Sequence, residues 1–121
     1  MLSSAATAAL RDIAHHIALA VRFAAGLDYE KFCDDLRTVY PVTRCLEIIS
    51  EASRRLPGEL KARYPAIAWR EMAGARNVYR HDYEDVALSY VWTTLRNHLP
   101  PLRAVIQHEL AVVDQPPEDR Q

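Results

Sequence analysis

Residues 10–24 read LRDIAHHIALAVRFA, and this stretch decides the fold because its apolar side chains recur every three or four positions. Such spacing is typical of an amphipathic α-helix that turns one face toward a core. Ser3 or Ser4 could cap the start of this helix, and Gly26 could end it in a left-handed conformation. The face predicted to be buried consists of Leu10, Ile13, Ala14, Ile17, Val21 and Ala24.

Two further segments show the same spacing. One helix is predicted to start near Thr38–Pro41, since proline is tolerated in a first turn, and to stop at Pro57-Gly58. The other keeps one helical phase from residue 88 to residue 113 through Pro100-Pro101, so we expect a kink or break at the prolines. The apolar stripes are Val42, Cys45, Leu46, Ile49, Ala52 and Leu56 in the first, and Leu88, Val91, Trp92, Leu95, Leu99, Leu102, Ile106, Leu110 and Val113 in the second.

Shorter elements connect these helices. Asp28 is expected to open a short helix carrying Tyr29, Phe32 and Leu36, and another turn of helix is expected at residues 59–63. The segment 66–81 is expected to be anchored by Ile67, Trp69, Met72 and Val78. The predicted fold is all-α, an antiparallel bundle of about five helices in one domain over residues 1–114. The polar tail 115–121 is predicted to be flexible.

Composition narrows the functional classes. The chain of 121 residues carries 13 arginines, 2 lysines and a net charge of −1, so no overall positive field holds nucleic acid. Any RNA binding must therefore be local or arise when copies assemble. Cys33 and Cys45 form no CxxC pair, which favours a reduced, cytoplasmic environment. No stretch reaches the ~18 uninterrupted apolar residues that span a bilayer, so we expect a soluble protein without a membrane partner.

The residues that could carry chemistry are concentrated at positions 76–83. An imidazole exchanges protons near neutral pH, whereas a guanidinium stays cationic and matches the geometry of a phosphate. Together they are what phosphodiester cleavage without a metal requires. The sequence has no glycine-rich phosphate loop and no zinc-like pattern, so neither a cofactor nor a metal is expected. The polar and aromatic residues of the segment are Arg76, Asn77, Tyr79, Arg80, His81 and Tyr83.

Helical geometry indicates that one copy of this segment is an incomplete site. At ~100° per residue, Asn77 and His81 share one face of a helix, and Arg76 and Arg80 share another. Arg76 and His81 then lie about 140° apart, so they would flank a groove rather than touch. Two copies related by a two-fold axis would place paired arginines and histidines around one cleft.

Other interpretations of these residues remain open. An Arg-x4-His pair is often solvated or paired with carboxylates, and the acidic residues Asp82, Glu84 and Asp85 could bind a divalent cation or cap the next helix. Arg44, Glu47, Glu51 and Arg55 have the spacing of ion pairs along one helix. The two glutamates could instead meet the arginines of the 76–83 segment across a dimer interface.

Several segments of the sequence match one known family in order and spacing, namely Leu46–Ala52, Trp69–Asn77, His81-x-Tyr83, Val91-Trp92 and Leu99–Leu102. In this combination the chain resembles the HepT-like branch of the HEPN superfamily, the small toxin partners of MntA minimal nucleotidyltransferases. The resemblance covers roughly residues 10–110, and its specificity comes from the combination rather than from any single segment.

This resemblance implies a helical bundle that forms a homodimer, with an Arg-x4-His-x-Tyr motif from each subunit lining a shared cleft. It implies a metal-independent endoribonuclease, the toxin of a type VII toxin–antitoxin system, with RNA as substrate. Arg76 and His81 would be the catalytic pair, and Asn77 would support them. Tyr83 matches the tyrosine that an MntA-like nucleotidyltransferase antitoxin modifies with AMP, which silences the toxin.

The chain departs from common family features at four positions. Cys45 stands where many relatives have asparagine, and Ser50 stands where glycine is common. Tyr79 and Arg80 replace aliphatic residues, so Arg80 adds positive charge that favours RNA, and Tyr79 could stack on a base.

Two alternatives to catalysis remain. The protein could be a non-catalytic binding or regulatory subunit of a minimal nucleotidyltransferase, with Tyr83 as its AMP acceptor. It could also be a plain dimeric scaffold in which the arginine and histidine of the motif pair with Glu47 and Glu51.

Overall fold

The computed structural model describes residues 2–74 and 84–115 of the chain. Within these two ranges the secondary structure is helical and contains no strand, which confirms the all-α class. The predicted tail 115–121 lies outside the described residues except for Gln115. The elements are α1 (Ser4–Phe23), α2 (Tyr29–Cys33), α3 (Leu36–Arg54), α4 (Gly58–Ala62), α5 (Trp69–Gly74), α6 (Glu84–Thr93), a π-helical turn (Thr94–His98) and α7 (Leu99–Val113).

Helix α1 forms the centre of the core, as its apolar spacing predicts. The Ser3 hydroxyl caps the helix by accepting a hydrogen bond from the Ala6 amide at 3.1 Å. Gly26 follows the helix with a φ of 81°, a left-handed conformation that glycine adopts without steric cost. The prediction for Val21 was wrong, since its side chain is 41% exposed. The buried stripe passes through Ala20 instead, three positions after the last buried isoleucine, so Val21 lies beside it.

Helix α3 buries its whole predicted stripe but begins earlier than expected. Asp35 precedes its first turn and accepts a hydrogen bond from the Thr38 hydroxyl at 2.8 Å. Pro41 therefore lies in the second turn rather than the first. Leu36 opens α3 and is 56% exposed, so it does not belong to the apolar face of the short helix before it. The buried residue of that short helix, α2, is Phe32.

Two ion pairs connect the ends of the other long helices to α1. Arg11, in the first half of α1, lies 2.7 Å from Asp114, which follows the end of α7. Arg55, at the end of α3, lies 3.0 Å from Asp12 of α1. The carboxyl ends of α3 and α7 therefore both lie beside the first half of α1, an arrangement consistent with the predicted antiparallel bundle.

The expected irregularity at Pro100-Pro101 is present. The segment 88–113, predicted as one interrupted helix, consists of the end of α6, the π-helical turn and α7. The two prolines lie in the first turn of α7. A first turn is where a missing backbone N–H removes no hydrogen bond, so the prolines fit there. Val91, Leu95 and Leu99 before them, and Leu102 and Ile106 after them, are all buried. Both arms thus face the same core.

A buried carboxylate ties α7 to the loop before α5. The side chain of Glu109 is only 5% exposed, and it accepts hydrogen bonds from the Tyr64 hydroxyl and from Arg63 Nη2, the latter at 3.1 Å. At the start of α5, Trp69 Nε1 lies 3.1 Å from the carbonyl oxygens of both Lys61 and Tyr64. These contacts fix the point at which α5 begins.

Removal of the Tyr64 hydroxyl should destabilise the fold. In Tyr64→Phe the buried Glu109 loses a hydrogen bond to a charged group, so we expect a loss of about 1.5–3 kcal/mol in unfolding free energy. Burial and the bond to Glu109 raise the pKa of Tyr64, so its contribution is present below about pH 10 and is lost as the phenol ionises at higher pH. Urea unfolding followed by circular dichroism at pH 7 and above pH 10 measures both effects.

Tyr40→Phe is the matched control, because Tyr40 is 69% exposed. This variant should stay within about 0.5 kcal/mol of the parent. Equal stability of the Tyr64→Phe and Tyr40→Phe variants would contradict a structural role for the buried carboxylate.

Candidate active site

The structure describes the two helices that bracket the segment 76–83, but not the segment itself. Helix α5 ends at Gly74, and α6 begins at Glu84. Arg76, Asn77, Tyr79, Arg80, His81 and Tyr83 lie outside the described residues, as do Val78 and Asp82. Their predicted roles therefore stay predictions. Glu84 and Asp85 are the first residues of α6.

Side chains from α3 and α6 hold the carboxyl end of α5. The last carbonyl groups of any helix lack partners within that helix. The buried Ser50 hydroxyl of α3 donates to the Met72 carbonyl at 2.6 Å, and the Tyr90 hydroxyl of α6 donates to the Glu71 carbonyl at 3.4 Å, a longer and weaker contact. The chain therefore leaves α5 from a fixed position two residues before Arg76.

Aromatic packing holds α6 on its other side. The Trp92 ring lies 5.2 Å from the Phe32 ring and 6.0 Å from the Tyr29 ring, both of α2. The guanidinium of Arg96 lies over Trp92, 5.3 Å from the ring centroid. These contacts join α2 to the carboxyl end of the helix that follows the 76–83 segment.

A small open cleft separates α5 from α6 and the π-helical turn, and we call it the α5–α6 cleft. Its floor is apolar and buried, with Leu46 and Ile49 of α3 beside Met72 and Leu99. The cavity volume is about 30 Å³.

The rim of the α5–α6 cleft is polar. Glu71 and His98 are exposed there, and Tyr90 is half-buried between them and the floor. Burial, and then the Glu71 carboxylate, raise the pKa of the Tyr90 phenol, which therefore stays a hydrogen-bond donor at neutral pH.

The polar face of α3 matches its prediction in part. Arg44 Nη1 lies 3.4 Å from Glu47 Oε2, so the predicted pair along the helix forms, although both side chains are well exposed. Exposed pairs of this kind contribute only about 0–1 kcal/mol. Arg55 does not follow the prediction, because it pairs with Asp12 of α1 rather than with Glu51. The association of Glu47 and Glu51 with a second subunit stays a prediction.

The two cysteines differ in environment. Cys45 is buried in the core, and burial raises the pKa of its thiol above the ordinary value. A protonated, enclosed thiol is a poor nucleophile, so Cys45 acts as an apolar core residue. Cys33 is half-buried, and both cysteines are free.

Several contacts at the site escaped the sequence reasoning. In the sequence, Ser50 stands out only as a departure from glycine. Its hydrogen-bond partner, the Met72 carbonyl, lies 22 residues away along the chain. Tyr90, Thr94 and His98 recur at four-residue spacing and all line the α5–α6 cleft. That polar stripe beside the apolar stripe was visible in the sequence and could have indicated a second functional face.

Comparison with known proteins identifies the class. The family model described as "Ribonuclease HepT-like" matches residues 13–109, and the chain belongs to this family. It is 39% identical over 94 residues to the probable ribonuclease HepT of Thermococcus cleftensis, covering 78% of this chain and 86% of that protein. Two proteins of Methanocaldococcus jannaschii named as candidate RNases are 34% and 33% identical over 94 residues, covering 78% of this chain and 81% and 78% of theirs. No solved structure matches the chain significantly.

Across residues 2–74 and 84–115, the structure contains no helix that is both long and apolar enough to cross a bilayer.

Removal of the Ser50 hydroxyl should loosen the end of α5 that leads into the 76–83 segment. Ser50→Ala leaves the buried Met72 carbonyl without this donor, at a cost of about 1–3 kcal/mol. Amide hydrogen exchange should accelerate at residues 72–74 more than in α1. Ser53→Ala is the matched control, since the buried Ser53 hydroxyl donates to the Ser50 carbonyl within α3, at 2.7 Å. Acceleration of α5 exchange to the same degree in both variants would rule out the specific role of Ser50.

Proposed function

We propose that this protein is a metal-independent endoribonuclease that acts as a homodimer, the toxin of a type VII HepT/MntA-like toxin–antitoxin system. One observation carries the proposal: the chain belongs to the HepT-like ribonuclease family over residues 13–109, and this range contains Arg76, His81 and Tyr83 at the Arg-x4-His-x-Tyr spacing. The packing of α5 on α3 and of α6 on α2 supports it, because these two helices flank the segment that carries the motif.

The proposed reaction needs only side chains and the RNA itself. The ribose 2′-hydroxyl attacks the adjacent phosphorus while His81 of one subunit accepts its proton. Arg76 holds the phosphate and stabilises the negative charge on its equatorial oxygens. The bond to the 5′-oxygen breaks, and that oxygen takes a proton from the histidine of the second subunit. The products are a 2′,3′-cyclic phosphate and a 5′-hydroxyl end.

The remaining residues of the motif have supporting roles in this scheme. On a helix, Asn77 would share a face with His81 and would orient it by hydrogen bonding. Arg80 adds positive charge beside the phosphate, and Tyr79 offers a ring on which a base can stack. Glu47 and Glu51 lie on the polar face of α3, where they would meet arginines of the second subunit.

Tyr83 would be the point of control. In the proposed modification its oxygen attacks the α-phosphorus of ATP on an MntA-like nucleotidyltransferase, and pyrophosphate leaves. The attached AMP adds bulk and negative charge next to Arg76 and Arg80, so it would occupy the phosphate site. The same modification suits the competing function, a regulatory subunit without catalysis.

Replacement of His81 distinguishes the proposed ribonuclease from the regulatory subunit without catalysis. Purified parent protein should cut RNA in the presence of a chelator and leave 2′,3′-cyclic phosphate ends, whereas His81→Ala should lose at least about 10²-fold in rate. His108→Ala is the matched control, because His108 is exposed on α7 away from the motif in sequence. Circular dichroism verifies that each variant is folded. No cleavage by the parent protein would favour the regulatory subunit, and full activity of His81→Ala would refute the catalytic scheme.

Replacement of Tyr83 tests its proposed role as the AMP acceptor through which the toxin is inactivated. Tyr83→Phe should keep ribonuclease activity but escape inactivation by a nucleotidyltransferase encoded beside it, because the acceptor oxygen is gone. Intact-protein mass spectrometry should show AMP on the parent and on Tyr40→Phe, which removes an exposed tyrosine of α3. AMP transfer to Tyr83→Phe would show that the acceptor lies elsewhere.

A further inference from the structure

The α5–α6 cleft has the surface of a binding site for one edge of a flat, partly polar ring. Its floor is formed by buried apolar side chains, including Met72 and Leu99, while Glu71, Tyr90 and His98 place hydrogen-bonding groups at the rim. A nucleobase combines apolar faces with a polar edge, and unstacked bases of single-stranded RNA are bound in this way by proteins. With a cavity volume of about 30 Å³, the cleft admits an edge rather than a whole base.

The charge of the rim favours a base over a phosphate. Among the described residues that line the cleft, Glu71 is an acid and none is a lysine or an arginine. A carboxylate repels phosphate but accepts hydrogen bonds from amino groups such as cytosine N4. Uracil has no exocyclic amino group and offers a carboxylate only its ring N3–H, so we expect the rim to favour an amino-bearing base over it.

The position of the cleft connects it to the proposed chemistry. Glu71 belongs to α5, which ends two residues before Arg76, and Tyr90 belongs to α6, which starts one residue after Tyr83. The Tyr90 hydroxyl donates to the Glu71 carbonyl, so the rim itself joins these two helices. The π-helical turn places His98 on the same face as Tyr90, two helical turns away, and such turns occur often at functional sites.

We propose that the α5–α6 cleft binds the edge of one unstacked, amino-bearing base of the RNA substrate, and that Glu71 and His98 determine which base is accepted. The inference rests on the proposed ribonuclease function and adds a specificity site to it. Tyr90 supplies the ring against which the base lies, and the scissile phosphate stays with the 76–83 segment.

Cleavage of a randomised single-stranded RNA pool, with sequencing of the cut ends, tests the assignment. The parent protein should prefer an amino-bearing base over uracil about tenfold or more at one position near the cut. Glu71→Gln and His98→Ala should reduce that preference to about threefold or less while cleavage of the pool continues. Glu59→Gln and His108→Ala are the matched controls, because they make the same chemical changes at exposed positions outside the cleft.

The outcomes separate the two proposals. A base preference that is unchanged in both Glu71→Gln and His98→Ala would overturn the specificity site while the ribonuclease function stands. If the parent protein cuts no RNA, the ribonuclease function fails, and NMR of the His98 ring then tests the cleft alone with CMP, AMP, GMP and UMP. Shifts that are larger for CMP, AMP or GMP than for UMP support base binding, and the absence of shifts overturns it.

Discussion

Burial of the apolar face of α1 is the constraint on which the rest of the structure depends. Leu10, Ile13 and Ile17 have essentially no exposed surface, and both α3 and α7 pack against α1. Each such side chain gains about 1.5–3 kcal/mol from burial, whereas the exposed ion pairs that mark the helix directions contribute far less. The stripe therefore supplies the stability, and the ion pairs report the arrangement that results. Helix α3 then provides a fixed surface for α5 and α6.

The elements that could be predicted are those set by local periodicity. The stripes of α1, α3 and the last helical arm were recognisable because 3.6-residue spacing expresses burial directly. Val21 was assigned wrongly because the buried stripe passes through the neighbouring Ala20, and Leu36 because it begins α3 rather than ending the short helix before it. Periodicity alone locates neither change. Pro100-Pro101 indicated an interruption of regular helical hydrogen bonding, but the sequence did not indicate that a π-helical turn forms just before the prolines.

Long-range polar contacts were beyond sequence reasoning because their partners depend on the packed fold. Nothing in the sequence around Glu109 indicates that Tyr64, 45 residues away, donates a hydrogen bond to it. Likewise, nothing around Ser50 indicates that its hydroxyl donates to a carbonyl of α5. The preference of Arg55 for Asp12 over Glu51 has the same origin, since the antiparallel packing of α1 and α3 supplies a closer acid. The hypothesis for residues 76–83 could be formed from the sequence because all its groups are adjacent, whereas the α5–α6 cleft is built from separate helices.

The ion pairs reduce the positive charge that the described scaffold offers to an anionic substrate, in a chain with 13 arginines and a net charge of −1. Arg11, Arg44, Arg55 and Arg63 each lie against a carboxylate, so their charge is largely neutralised for a distant phosphate. In the proposed ribonuclease, attraction for RNA would therefore draw on the cations of the motif, Arg76 and Arg80. If such a site binds few phosphates at once, counterion release supplies little of the affinity, and base contacts such as those proposed for the α5–α6 cleft contribute more to the selection of the substrate.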